Sequence, residues 1–148
     1  MTRAPHALLG GWLVLAAWAA SPAEARSVRP CAISFTASAD GSFAQAGYSS
    51  TPARLSRLAA ATRERFTAAA LRLCAARVLT PADLARFGRL VVQNGEGATE
   101  PLVYQDPQMG PRVFIFQYAF QEGDPPDAAA FEQALRCWKR PKSCDFGD

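Results

Sequence analysis

From Thr51 to Arg77 the residues Leu55, Leu58, Thr62, Phe66, Ala69 and Leu73 recur at three- and four-residue spacing and share one face of a helical wheel. That period predicts a long amphipathic helix, capped by Thr51 with Pro52 in its first turn. Thr80-Pro81-Ala82-Asp83 repeats the start signal, with Asp83 placed to favour the positive end of a second, short helix. Leu84 and Phe87 turn inward from it, and Gly88 stops it. A last helix starts at the cap Asp127, runs through Ala128, Phe131, Leu135 and Trp138, and stops at Pro141.

Elsewhere the rhythm shortens to two. Ile33 to Ser38 alternates in the manner of a half-buried strand, Asp40-Gly41 signals a turn, and Ser42 to Ala46 is read as a returning strand. Leu90 to Gln93, Leu102 to Gln105 and Arg112 to Gln121 follow, the last dense in β-branched and aromatic residues. Short links between these three predict an antiparallel meander. The expected fold is a small single-domain α+β structure. Its antiparallel sheet of four to five strands carries the long and the C-terminal helix on one face.

The N-terminus reads differently. Arg3 precedes an apolar run of 13 residues, Leu8 to Ala20, and Ala23-Glu24-Ala25 offers small residues where a signal peptidase cuts. The run falls short of the roughly 20 residues a membrane span needs. Residues 1–25 are therefore expected to be a secretory signal peptide cleaved after Ala25, leaving 26–148 as one domain with no membrane span. Cys31 lacks the small apolar residues that precede a lipid-modified cysteine. Arginine outnumbers lysine 14 to 2, a bias that points to a GC-rich bacterial genome, and the expected compartment is the periplasm or the exterior.

Cleavage leaves the net charge at +3 but removes His6, the only histidine. A chain without imidazole builds neither a Ser-His-Asp nor a Cys-His site, nor a zinc site that requires histidine. No metal or other cofactor is expected. Cys31, Cys74, Cys137 and Cys144 form no C-x-x-C pair, so an even count in an oxidising compartment reads as two disulfides. Cys31–Cys74 with Cys137–Cys144 is the favoured pairing, because Pro141 ends the helix and lets the chain turn back. The rival joins Cys74 to Cys137 and Cys31 to Cys144.

Candidate chemistry is sparse. The strand at 112–121 puts Phe114, Phe116, Tyr118 and Phe120 on one face and Val113, Ile115, Gln117 and Ala119 on the other. Such a strand is covered on both sides or lines a cavity. Core packing is the plain reading, and a pocket for an apolar ligand around Phe116, Gln117 and Tyr118 is the sharper one. Arg54, Arg57, Arg65 and Arg72 flank the apolar face of the long helix, either as a solvated stripe or as a site for an anionic surface. Nucleic acid is not an expected partner, for want of any binding motif.

Asn94 to Pro101 is glycine-rich but lacks the ending of a phosphate loop, and reads as a wide hairpin loop. Glu96 and Glu100 are the candidates for a paired-carboxylate hydrolase. Glu122, Asp124 and Asp127 lack the spacing of a calcium loop. Cys137-Trp138-Lys139-Arg140-Pro141-Lys142-Ser143-Cys144 would present Lys139, Arg140 and Lys142 on a constrained loop if its disulfide closes, and otherwise serves as a C-terminal staple. The sequence leads first to a non-enzymatic interaction or inhibitor-type protein acting on an envelope protein or anionic surface. Behind it stand a carrier of an apolar ligand and a carboxylate-dependent hydrolase.

Overall fold

A computed structural model describes residues 29–45, 47, 51–98, 100–120 and 124–144. The expected leader with its cleavage after Ala25, and Glu122, lie outside them. In chain order come β1 (Thr36–Ala39), α1 (Ser42–Gln45), α2 (Pro52–Ala75), α3 (Pro81–Leu84), β2 (Arg89–Asn94), β3 (Leu102–Gln105), β4 (Val113–Tyr118) and α4 (Ala128–Lys139), then a 3₁₀ turn Pro141–Ser143. Among the described residues no helix is long and apolar enough to cross a membrane.

The helices start where their caps place them. Thr51 Oγ1 accepts from Arg54 N–H, and Asp127 Oδ1 accepts from Ala130 N–H at 3.0 Å. Thr80 and Asp83 form a reciprocal box, with Asp83 N–H on Thr80 Oγ1 at 3.1 Å and Thr80 N–H on Asp83 Oδ2 at 2.8 Å. α2 closes as a glycine-terminated helix does, with arginine in the glycine's place. Val78 N–H reaches back to Leu73 O and Arg77 N–H to Cys74 O, each at 2.9 Å, which leaves Arg77 at φ 59°. This two-bond closure favours glycine at the position Arg77 occupies.

The expected strand from Ser42 is not formed over Ser42 to Gln45, and Ala46 lies outside the described residues. Ser42–Gln45 makes one helical turn, because Asp40 Oδ1 accepts Ser42 N–H at 3.0 Å and offers the chain a local turn. Phe43 is buried by that turn against Phe120, ring centroids 5.1 Å apart. Ser42 Oγ then accepts Asn94 N–H at 2.8 Å, so the turn seals the end of β2.

The sheet has four strands in the order β1-β2-β4-β3. It is not the expected meander. β1 pairs parallel with β2 and β2 parallel with β4, and only β3 with β4 is antiparallel. β4 takes the place beside β2 because both strands are apolar on their two faces and need flanking strands. β3, a half-exposed four-residue strand, goes to the edge. The segment after Asn94 has only to pass over the end of β4, two strand spacings or roughly 10 Å, which its seven residues reach easily. Of the consecutive strands only β2 and β3 are therefore not neighbours in the sheet.

Both long helices pack on the face carrying Leu90, Val92, Phe114, Phe116 and Val103. Phe66 of α2 meets Phe35 and Phe87 at 5.4 and 5.3 Å, and Phe131 of α4 stacks on Phe116 at 4.6 Å. Such aromatic pairs add about 0.5–1.5 kcal/mol each beyond the area they bury. On the opposite face Val91 and Ile115, register partners, are also buried. The α+β class stands, with a mixed sheet in place of an antiparallel one.

Candidate interaction site at the C-terminal staple

Both disulfides pair as favoured from the sequence, Cys31 with Cys74 and Cys137 with Cys144. The second closes the end of α4. Ala130, Phe131, Ala134, Leu135 and Cys137 bury one side of that helix, which fixes the direction in which its last turn leaves the core. Pro141 then forces a new start. Cys144 N–H bonds Pro141 O at 3.2 Å, Ser143 Oγ donates to Arg140 O at 2.7 Å, and the sulfur of Cys144 returns to Cys137.

The three cations of this turn do not share one role. Lys139 Nζ donates to both carboxylate oxygens of Asp83, at 2.8 and 2.7 Å, tying the end of α4 to the first turn of α3. Burial of Asp83 works to raise its carboxyl pKa. The Lys139 ammonium and the N–H and hydroxyl of Thr80 outweigh it and hold the group below its ordinary 3.8. Lys139 is thus a structural tie. Arg140 and Lys142 are exposed and have no carboxylate partner among the described residues.

Two hollows flank the staple. One, about 340 Å³, is lined by Leu102, Val103, Tyr104 and Gln105 of the edge strand together with Cys137, Trp138 and Pro141. Trp138 is held edge-on by Phe87 and Phe114 at 5.1 and 5.6 Å, with the Arg86 guanidinium 5.1 Å over its ring. Tyr104, opposite Ile115 in the register, turns its side chain to the other face of the sheet and remains 39% exposed there. Burial pushes the Tyr104 phenol pKa up, and Asp106 and Asp40 add to that by repulsion, so the ring is neutral and keeps its donor. The other hollow, about 510 Å³, is lined by Glu100, Pro101, Gln133, Arg136 and Cys144 among others. Glu100 accepts from the Gln133 amide there.

The arginine stripe divides. Arg65 donates to the carbonyls of Pro125 and Pro126 at 2.7 and 2.8 Å, and Arg72 pairs with Glu132 at 2.9 Å. Both fasten α2 to the start of α4. Arg54 and Arg57 line a separate hollow of about 380 Å³ with Asp124 and Pro125. Nothing in the sequence pattern pointed to the Arg65 and Arg72 ties, since their partners lie 60 or 61 positions away.

Phe116 and Tyr118 share the helix-side face, both against Phe120, and Gln117 is not brought to them. Phe116 is fully buried against Phe131, and Gln117 lies on the other face against Gly95. A Cβ on Gly95 would come within 2.8 Å of the Gln117 side chain, which accounts for glycine there. Glu96 is exposed in the turn after β2, whereas Glu100 is held against α4. Asp127 spends its carboxylate on the α4 cap. Among the described residues no three His, Cys, Asp or Glu side chains gather as metal ligands.

The fold and site define a small α+β protein whose two long helices are each cross-linked near the C-terminal end, with a basic turn beside an apolar groove. Comparison with protein-family models, curated proteins and solved structures finds no match for this chain.

Proposed function

We propose that this protein is an exported, non-enzymatic interaction protein of the inhibitor type that holds a protein of the cell envelope at its C-terminal staple. The observation that carries this reading is the exposed pair Arg140 and Lys142 on a disulfide-closed turn, beside the groove between Trp138 and the edge strand. A turn already closed loses little freedom on binding, so its charges act with less entropic cost than those of a mobile tail. Aromatic side chains and arginine are the residue types that anchor interfaces. Two disulfides with no free cysteine among the described residues fit an oxidising compartment, as an exported protein requires.

The test is crosslinking in the native envelope, with partners identified by mass and compared between the wild type and Arg140→Glu/Lys142→Glu. Both side chains are exposed, so the double variant keeps its unfolding midpoint. The crosslinked partner should fall about tenfold in yield, in line with one to two kcal/mol for two charge contacts. Equal yield from both proteins refutes the proposal.

A further inference from the structure

The edge strand β3 has main-chain groups to offer. Its register with β4 sets Leu102 opposite Gln117, Val103 opposite Phe116, Tyr104 opposite Ile115 and Gln105 opposite Phe114. Asp106 N–H bonds Val113 O at 3.2 Å, so Asp106 and Val113 are a hydrogen-bonded pair. In an antiparallel ladder such pairs alternate, which makes Tyr104 and Leu102 the next residues bonded to β4. The N–H and C=O of Val103 and Gln105 therefore point away from the sheet. Among the described residues no turn, loop or side-chain group bonds them.

That free edge forms one wall of the 340 Å³ groove, whose other wall is Cys137, Trp138 and Pro141. An edge strand beside an apolar groove is the geometry in which an extended peptide adds as a further strand and buries alternate side chains. Charge decides what kind of peptide. Arg86, Arg136, Arg140 and Lys142 are cations of the surrounding surface with no carboxylate partner among the described residues. Asp83 and Glu132 are already neutralised by Lys139 and Arg72. Glu100 and Asp106, at the two ends of β3, accept from the Gln133 amide and the Gln108 N–H. A second copy of this chain would bring the same excess of cations to the same rim and be repelled. An acidic strand would be drawn to it.

We infer that β3 accepts an extended acidic segment of a partner protein as an antiparallel or parallel fifth strand, with an apolar side chain of that segment seated against Trp138. This deepens, and rests on, the reading of the staple as an interaction site. The outward main-chain groups supply the affinity common to any strand, and Arg140 and Lys142 select the acidic one.

The experiment uses the disulfide-bonded protein and a library of hexapeptides. One central position is varied among Val, Ile, Leu, Phe and Tyr, and Asp or Glu is fixed two positions to either side of it, on the same face of the extended peptide. Amide exchange is read by NMR. Binding should slow exchange at Val103 and Gln105 at least tenfold and leave Tyr104, already bonded to β4, unchanged. Two peptides, each methylated on one of the two alternate sets of main-chain nitrogens, keep their side chains, and the one blocked on the side facing β3 should bind about tenfold more weakly than the other, the loss expected for two hydrogen bonds. Lysine-substituted peptides should not bind.

No library member slowing Val103 and Gln105 overturns strand addition, as does equal binding of the methylated peptides. Protection present without peptide also overturns it, assigning the edge to a second copy if it depends on concentration and to residues 145–148 if deleting them removes it. Should the envelope crosslink depend on Arg140 and Lys142 while these amides stay unprotected, the interaction reading stands and strand addition alone is lost.

Discussion

The two cross-links of this protein close very different lengths of chain. Cys31–Cys74 spans 43 positions and Cys137–Cys144 spans 7, with nearly equal Cα separations of 6.0 and 5.6 Å. The first joins the segment leading into β1 to the last turn of α2, where Cys74 is buried beside Leu73. The second shapes a surface turn and leaves Arg140, Pro141 and Lys142 exposed. A long closure chiefly removes freedom from the unfolded chain, whereas a short one removes less and instead fixes a local shape. One cross-link therefore serves the fold and the other serves the surface.

Replacing each pair by serine breaks the comparison most directly. Loss of Cys31–Cys74 should cost about 4 kcal/mol and loss of Cys137–Cys144 about 2.5 kcal/mol, measured by urea unfolding. Partner crosslinking should fall more with the second pair than with the first, under conditions where both variants are folded. Equal crosslinking from the two would erase the distinction between them.

A smaller effect should come from Asp83→Asn, which uncouples the staple from α3 and leaves Lys139 without its charge partner. We expect a loss of about 2 kcal/mol in equilibrium unfolding at neutral pH. The sign of the pH dependence follows from a carboxyl held below 3.8 in the fold. Its contribution is complete above the unfolded value and disappears as pH falls through the lower folded one. The wild type should therefore lose stability in that acid window, and the variant should lose less.

The smallest effect concerns the end of α2, three positions after Cys74. Arg77→Gly relieves a left-handed residue and should stabilise by about 0.5–1 kcal/mol after the entropy of glycine is subtracted. A loss of stability would show that the Arg77 side chain contributes more than its backbone costs.

The helices were legible because a 3.6-residue period and a side-chain cap are local properties. Thr51, Thr80 and Asp127 all cap where the sequence places them. Even Thr62, polar on an apolar face, is fully buried with its hydroxyl unpartnered among the described residues. The strands' residues were legible too, but not their neighbours. A period of two is the same whether a strand pairs parallel or antiparallel, so only the two-faced apolar character of β2 and β4 hinted at their central place. Ser42 to Gln45 was misread because alternation over so few residues is weaker than one Asp40 side chain bonding the chain two positions on.

The candidate site was half visible. The staple and its cations follow from cysteine spacing and Pro141, since a loop that short closes on itself. The groove does not, because its walls come from residues 102–105 and 137–141, brought together by the packing of α4 on the edge of the sheet.

By itself the sequence determined the three capped helices α2, α3 and α4, the residues of β2, β3 and β4, and the favoured cysteine pairing. Tertiary structure alone decided that Lys139 serves Asp83, that Arg65 and Arg72 serve α4, and that Arg140 and Lys142 have no carboxylate partner among the described residues. The reason is physical. Periodicity and capping are set by neighbours along the chain, whereas whether a charge is spent or free depends on partners that only folding brings within hydrogen-bonding distance.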